Sequence, residues 1–189
     1  MLYFLGLQVL QSKEGISLSK SKYAYDRLCR FHMEDCKPTP SPFQYGVKLS
    51  LTCTSPEVDA TLYRQLIGIL LYLTHSRPDI SFVVGPVARY MQHPHESHWK
   101  AAKRILPYIH RTIQFKIHYS TGETSLLVGF IDSNCVGDLG DWKSTTGYVF
   151  TLGSRPISWA CKKQSAISLS SVEAEYRAAV QTSEEAMWL

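Results

Sequence analysis

The stretch from residue 126 to 175 constrains the fold of this chain more than any other part. Short runs rich in β-branched and aromatic residues alternate there with turns containing Gly, Ser and Pro, a pattern that favours strands. The runs are LLVGFIDSN, STTGYVFTLG and PISWACKKQ, and a helical pattern begins at LSSVEAEY. We therefore predict a small sheet of three antiparallel strands followed by one helix.

Three acidic residues in this stretch are candidate metal ligands. Asp132 closes the first apolar run, and Glu173 and Glu175 open the helical one. Hydrolysis of a phosphodiester by two metal ions needs carboxylates brought together from distant parts of a chain, because Mg²⁺ prefers oxygen ligands and bridges to phosphate oxygens. An acid at a strand end and an acid on the helix that crosses back over that strand could supply two such ligands.

Helical periodicity does not choose between the two glutamates. They flank, on opposite sides, an apolar stripe that we expect to be buried against the sheet. The stripe consists of Val172, Tyr176, Ala179, Val180 and Met187.

Several phrases of the sequence carry a family resemblance. FIDSN-x-x-GD, STTGY, ISWACKKQ and LSSVEAEYRA together resemble the opening half of the ribonuclease H domain of copia-type retrotransposon polyproteins. Upstream, YRQLIGILLYLTHSRPDI and HWKAAKRIL resemble the segment that links reverse transcriptase to ribonuclease H in that family. The resemblance covers nearly the whole chain. It implies a C-terminal remnant of reverse transcriptase over residues 1–118, with a palm hairpin and thumb or connection helices, and a truncated ribonuclease H-like domain over residues 119–189.

The resemblance also assigns residues. Through the family pattern A-E-Y it implies that Asp132 and Glu175 are the first two catalytic carboxylates and ligands of Mg²⁺ or Mn²⁺. The strand acid is usually preceded by Thr in the family, whereas Ile131 stands here. The family's polymerase aspartates and later ribonuclease H carboxylates have no counterpart in this sequence. The parent function is RNA-templated DNA synthesis and hydrolysis of RNA–DNA hybrids in transposition, and we expect this chain alone to be inactive.

A second feature is a basic helical stretch over residues 97–113. Trp99, Ala102, Leu106 and Ile109 form its apolar face. Lys100, Lys103, Arg104 and Arg111 form a basic face beside it, suited to a phosphate backbone. The plainer interpretation is a solvated charged face.

Charge is unevenly divided along the chain. Residues 1–125 contain 15 Lys and Arg against 9 Asp and Glu, a balance of +6, whereas residues 126–189 contain 5 against 7, a balance of −2. Positive charge thus lies on the part that would hold nucleic acid. The alternatives to an inactive fragment are therefore a nucleic-acid-binding module that uses the basic stretch, or a ribonuclease H completed by a longer chain or a partner. The expected ligand is an RNA–DNA hybrid or a template–primer duplex, with no small-molecule cofactor.

The remaining patterns concern the first 118 residues. They predict a hairpin over 1–19, helices over about 21–31 and 59–73, and a third helix that starts at Pro78. Pro86 and Pro107 fall inside predicted helices, where each is expected to cost about 3 kcal/mol. His93, His95 and His98 lie close together in sequence, but lack the ligand spacing of a zinc site, which favours a structural role.

Composition suggests a location. No apolar run approaches the roughly 20 residues of a membrane helix. The N-terminus lacks the basic region and cleavage site of a signal peptide. The five cysteines are dispersed without a CxxC pair, which favours reduced thiols. These patterns predict an intracellular protein, cytoplasmic or nuclear, that is neither secreted nor bound to a membrane.

Overall fold

The described residues form two compact units. The computed structural model describes residues 2–43, 49–50, 54–122, 126–134 and 143–189. The first unit comprises Met1–Tyr45 and Pro56–Glu123, and the second comprises Gly46–Ser55 and Thr124–Leu189. Helices and antiparallel sheets are both present, which confirms the α+β class. The predicted domain boundary after residue 118 stays a prediction.

The first unit contains a four-stranded antiparallel sheet. Its strands lie in the order β1 (Leu2–Phe4), β2 (Leu7–Ser12), β3 (Gly15–Ser19) and β4 (Ile117–Ser120). The hairpin predicted over residues 1–19 is present as β2 and β3, but the first predicted strand is divided into β1 and β2. Leu5 and Gly6 adopt positive φ angles of 46° and 73°, which turn the chain and split the first predicted strand in two.

Five helices accompany that sheet within the described part of the first unit. They are α1 (Ser21–Arg30), α2 (Ala60–Thr74), α3 (Pro78–Ala88), α4 (Glu96–Lys103) and α5 (Ile105–Arg111). Asp59 caps α2 by accepting hydrogen bonds from the N–H groups of Thr61 and Leu62, and Pro78 opens α3. The helices share an apolar core that includes Leu28, Tyr63, Leu66, Leu70, Ile80, Ile105 and Ile109.

The prediction of a single helix over residues 97–113 is wrong. The structure has two helices there, α4 and α5, which meet at Arg104. Pro107 accounts for the break, because it has no N–H to donate to the carbonyl of Lys103 and its ring crowds that turn. Pro107 instead occupies the third position of α5, where an N–H has no partner within the helix. The predicted penalty at Pro107 is therefore largely avoided, whereas Pro86 does lie inside α3.

His98 has the structural role that its sequence context predicts. Its side chain is fully buried and stacks on the ring of Tyr90, with 3.8 Å between the ring centroids. The Nδ1 atom of His98 accepts a hydrogen bond from the N–H of His95 at 3.0 Å, which helps to cap α4.

The second unit contains the predicted sheet and helix. Strands β5 (Leu127–Asn134), β6 (Thr145–Leu152) and β7 (Arg155–Lys163) form an antiparallel sheet in that order, and α6 (Ser171–Ala186) packs on it. Three antiparallel strands followed by one helix are thus confirmed. In the described part of the chain, β5 has a strand neighbour on one side only.

The face that α6 turns to the sheet differs from the expected one. Ala174, Ala178 and Thr182 are buried, whereas Val172, Tyr176 and Val180 are 76, 71 and 48% exposed. Small side chains at every fourth position let the helix axis approach the sheet closely, which the larger apolar stripe would prevent. The predicted burial of that stripe is therefore wrong. No helix within the described ranges is long and apolar enough to cross a membrane.

Candidate carboxylate site

Both carboxylate oxygens of Glu173 form contacts at the start of α6. The Oγ atom of Ser170 accepts a hydrogen bond from the N–H of Glu173 at 3.1 Å, and Glu173 Oε2 accepts one from the N–H of Leu169 at 2.8 Å. The other oxygen, Oε1, forms an ion pair with Arg177 at 2.7 Å. Two contacts lower the pKa of the Glu173 carboxyl group. The hydrogen bond from the Leu169 N–H has the larger effect, and the hydrogen bond from the Arg177 guanidinium has the next largest. These partners stabilise the start of the helix and occupy both oxygens.

Glu175 reaches the edge of the sheet instead. Its Oε1 atom accepts a hydrogen bond from the backbone N–H of Ser133 at 3.2 Å. Ser133 follows Asp132 directly in β5, so the structure brings the Glu175 carboxylate to the residue next to Asp132. Glu175 and Asp132 are both exposed at this edge.

Strand pairing assigns the two acids to different sides of β5. Ser133 pairs with Thr146, and the Thr146 hydroxyl is linked through Gln164 to the carbonyl of Ala174 in α6. Ser133 therefore lies on the face that carries α6. Neighbouring residues of a strand point to opposite faces, so Asp132, which pairs with Gly147, lies on the other face. A cation shared by the two carboxylates would have to lie at the free edge of β5.

The donor set suits one hard cation. Carboxylate oxygens are the ligands that Mg²⁺ prefers, and it usually keeps several waters. The buried Oγ atom of Ser133 also lacks a hydrogen-bond partner among the described residues. Within those residues, however, no group of three or more His, Cys, Asp or Glu side chains could hold a metal ion. The described site therefore offers less than the clamp that two-metal hydrolysis requires.

The predicted basic residues lie around the junction of α4 and α5. Lys100 forms an exposed ion pair with Glu96 at 2.8 Å, which partly neutralises it. Arg104 joins the two helices, Arg111 ends α5, and both are exposed, whereas Lys103 is half-buried. Arg104 and Arg111 are seven residues apart, which is close to two helical turns and places them on one side of α5.

Comparison with known proteins identifies the family. The chain is 40% identical over 187 residues to the retrovirus-related Pol polyprotein from transposon RE2 of Arabidopsis thaliana, and 41% identical to that from transposon RE1 of the same plant. Each comparison covers 99% of this chain. The chain belongs to the copia-type retrotransposon Pol polyprotein family. It spans 13% of the length of each of these two polyproteins, so it corresponds to a segment of them.

A shorter relative matches over most of its length. An uncharacterized mitochondrial protein of Arabidopsis thaliana is 37% identical over 98% of this chain and 77% of that protein. No protein-family model matches the chain. No solved structure matches it either.

Sequence reasoning gave no role to Gln164, although it ends one of the family-like phrases. Its side chain is 6% exposed and connects β6, the end of β7 and α6. An uncharged polar residue directly after a strand pattern was the available signal, but periodicity alone does not show that such a residue is buried.

Proposed function

We propose that this chain is the part of a copia-type Pol polyprotein that joins the end of reverse transcriptase to the first half of a ribonuclease H-like domain. In this proposal Asp132 and Glu175 contribute two ligands to a Mg²⁺ or Mn²⁺ ion, and the described residues alone do not hydrolyse an RNA–DNA hybrid. One observation carries the proposal: the hydrogen bond from the Ser133 N–H to Glu175 Oε1, which draws a helix carboxylate to the strand position beside Asp132.

The two acids have separate tasks in this proposal. The bound cation would supply charge neutralisation at a phosphate oxygen of the hybrid. Glu175 is oriented by the Ser133 N–H, which leaves its Oε2 atom for the ion. Asp132 would approach the same strand edge from the opposite face. Glu173 does not compete for the ion, because its oxygens are occupied by Leu169 and Arg177.

Manganese binding tests the ligand assignment. Electron paramagnetic resonance titration of the chain with Mn²⁺ should reveal one weak site. Asp132→Asn and Glu175→Gln should each abolish it, because each removes one of two anionic ligands. Glu184→Gln removes an exposed carboxylate from the far end of α6 and should leave binding unchanged. Binding that survives both Asp132→Asn and Glu175→Gln would place the ion elsewhere.

An activity assay tests the second part of the proposal. With Mg²⁺ or Mn²⁺, hydrolysis of an RNA–DNA hybrid by the 189-residue chain should not exceed background. Metal-dependent cleavage that Asp132→Asn abolishes would show that two carboxylates suffice or that further groups complete the site.

A nucleic-acid-binding function is the second candidate. Arg104 and Arg111 favour it, since both are exposed on one side of α5 and have no salt bridge within the described part of the chain. The ligand would be an RNA–DNA hybrid or a template–primer duplex held by its phosphates. The salt dependence of duplex binding separates this function from a merely solvated face.

A further inference from the structure

Gln164 is an almost fully buried polar side chain outside the pair of acids. Its Nε2 atom donates hydrogen bonds to Thr146 Oγ1 at 3.2 Å and to the carbonyl of Ala174 at 2.9 Å. Its Oε1 atom accepts a hydrogen bond from Ser168 Oγ at 3.1 Å, and its backbone N–H donates to the carbonyl of Ser144 at 2.9 Å. Both amide protons and the amide oxygen are therefore used.

These partners are the direct neighbours of the candidate site. Thr146 is the cross-strand partner of Ser133, whose N–H binds Glu175. Ala174 immediately precedes Glu175 in α6. The contacts thus close a ring that runs from Ser133 across to Thr146, through the Gln164 amide to Ala174, and through Glu175 back to Ser133.

The ring gives Gln164 a specific mechanical role. Ala174 lies in the second turn of α6, where its carbonyl already has a helical partner, so the Gln164 bond is an additional tether between helix and sheet. Without it, the start of the helix would keep the apolar contacts of Ala174 and Ala178, which are not directional, and the Ser133–Glu175 hydrogen bond, which depends on the position of the helix. A displacement of about 1 Å would suffice to break a hydrogen bond of 3.2 Å.

We infer that Gln164 is a positioning residue, which fixes the first turns of α6 on β6 so that the Glu175 carboxylate stays at the free edge of β5 beside Asp132. The inference rests on the proposed function for its importance to metal binding. The tether itself can be tested without metal, so the two ideas can fail separately.

The readout is the backbone amide of Ser133 in ¹H–¹⁵N spectra of the metal-free chain. Glu175→Ala supplies the reference state in which the acceptor is missing. In Gln164→Leu, which keeps the bulk but removes every side-chain hydrogen bond, the Ser133 amide should exchange with solvent at least tenfold faster than in the wild type. Its chemical shift should move toward the Glu175→Ala value.

Two further variants make the test specific. Gln164→Glu keeps the shape and can accept from Thr146 and Ser168, but its carboxylate cannot donate to the Ala174 carbonyl; it should behave like Gln164→Leu, and it replaces that variant if the leucine form does not fold. Ser168→Ala removes the bond to Oε1 while both donor bonds remain. This matched control should leave the Ser133 amide as in the wild type.

The outcomes separate the two ideas. A Ser133 amide that is unchanged in folded Gln164→Leu or Gln164→Glu overturns the positioning role, whatever the metal does. If the amide responds as expected but Mn²⁺ fails to broaden the Ser133 signal of the wild type, the positioning role stands and the proposed metal site fails. If both hold, Mn²⁺ affinity should fall in Gln164→Glu and not in Ser168→Ala.

Discussion

Gly129 lies directly opposite Phe150 in the pairing of β5 with β6, and the ring of the buried Phe150 lies against one side of it. A methyl group built on Gly129 would lie 2.7 Å from Cε1 of that ring, closer than carbon atoms normally approach. The ring occupies the space that a side chain would fill. This pair therefore leaves no room for a side chain at position 129 unless the ring moves.

Gly129→Ala should destabilise the chain by about 1–3 kcal/mol, because the ring has to move in a packed interior. Phe150→Leu removes part of the ring, so the double variant should be more stable than the sum of the two single changes predicts. Urea unfolding of the four proteins measures this coupling. Strictly additive effects would contradict the steric explanation.

The strands of the second unit and the start of α3 were the parts of the fold that sequence could predict. Pro78 at a helix start and the runs that became β5, β6 and β7 are local signals, and local geometry decided them. Backbone preference and side-chain alternation act over a few residues, so a linear pattern contains most of that information.

Helix faces and helix breaks depended on more than local pattern. The helical periodicity of α6 predicted that its apolar stripe would be buried. In the structure the helix instead buries the face with the small residues Ala174 and Ala178, because small side chains allow a closer approach to the sheet. Likewise, an isolated pattern could not show that Pro107 would start a new helix rather than strain an old one. For the site, the acids were visible in sequence, but Glu175 was preferred through family resemblance alone. The capping bonds of Glu173 supply a physical reason that the sequence lacked.

Lys20 predicts a pH dependence on the alkaline side. It is 6% exposed, and its ammonium group lies 3.6 Å from the centroid of the Tyr72 ring and donates to the Tyr72 carbonyl. Burial lowers the pKa of Lys20 from 10.5 to about 8. Between these values the unfolded chain binds a proton that the folded chain has lost, so stability should rise with pH, by at most about 1.4 kcal/mol per pH unit.

Urea unfolding at pH 7.5, 8.5 and 9.5 measures this slope. Lys20→Met should remove the rise, since no proton is then exchanged at that position. Lys22→Met, which removes an exposed ammonium group nearby, should retain it. An identical rise in Lys20→Met and the wild type would assign the effect to another group.

Arg77 connects the start of α3 to the end of α5. Its side chain is 7% exposed, forms a two-point ion pair with Asp79 at 2.8 and 2.7 Å, and donates to the carbonyl and hydroxyl oxygens of Thr112. Arg77→Ala should cost about 3–5 kcal/mol, because the Asp79 and Thr112 acceptors lose their partner. Arg77→Lys should recover only part of this, since an ammonium group cannot reproduce the planar fork.

Chemical denaturation followed by circular dichroism provides the comparison. Arg64→Lys, at an exposed position of α2, should change stability by no more than about 0.5 kcal/mol. Equal stability of Arg77→Lys and the wild type would mean that charge alone, and not the guanidinium geometry, is what α3 and α5 require.

The basic residues predict a salt-dependent interaction. If they contact phosphates, binding to a duplex should be weak, independent of sequence and steeply dependent on salt, with about 0.9 in the log–log slope for each contact. Changing Lys100, Lys103 and Arg104 together to Gln should flatten that slope. Titrations at several salt concentrations measure this slope.

The control is a triple change of equal charge elsewhere, at Lys13, Lys22 and Arg64, which should leave the slope intact. Equal flattening in both triple variants would indicate only a general effect of net charge.

The free edge of β5 predicts self-association. Within the described residues β5 pairs only with β6, and Leu126, Phe130 and Ile131 are 66, 61 and 42% exposed there. Unpaired backbone groups beside exposed apolar side chains act as a template for another strand. Val172 and Tyr176 add exposed apolar surface on α6. We therefore expect the chain to associate or precipitate as its concentration rises. Phe130→Lys should raise the soluble concentration, because a charged side chain on an edge strand opposes pairing with another strand. Sedimentation velocity over a range of concentrations measures this association.

Tyr176→Lys adds the same charge to α6 and serves as the control. If it raises the soluble concentration as much as Phe130→Lys does, the helix surface and not the strand edge drives association.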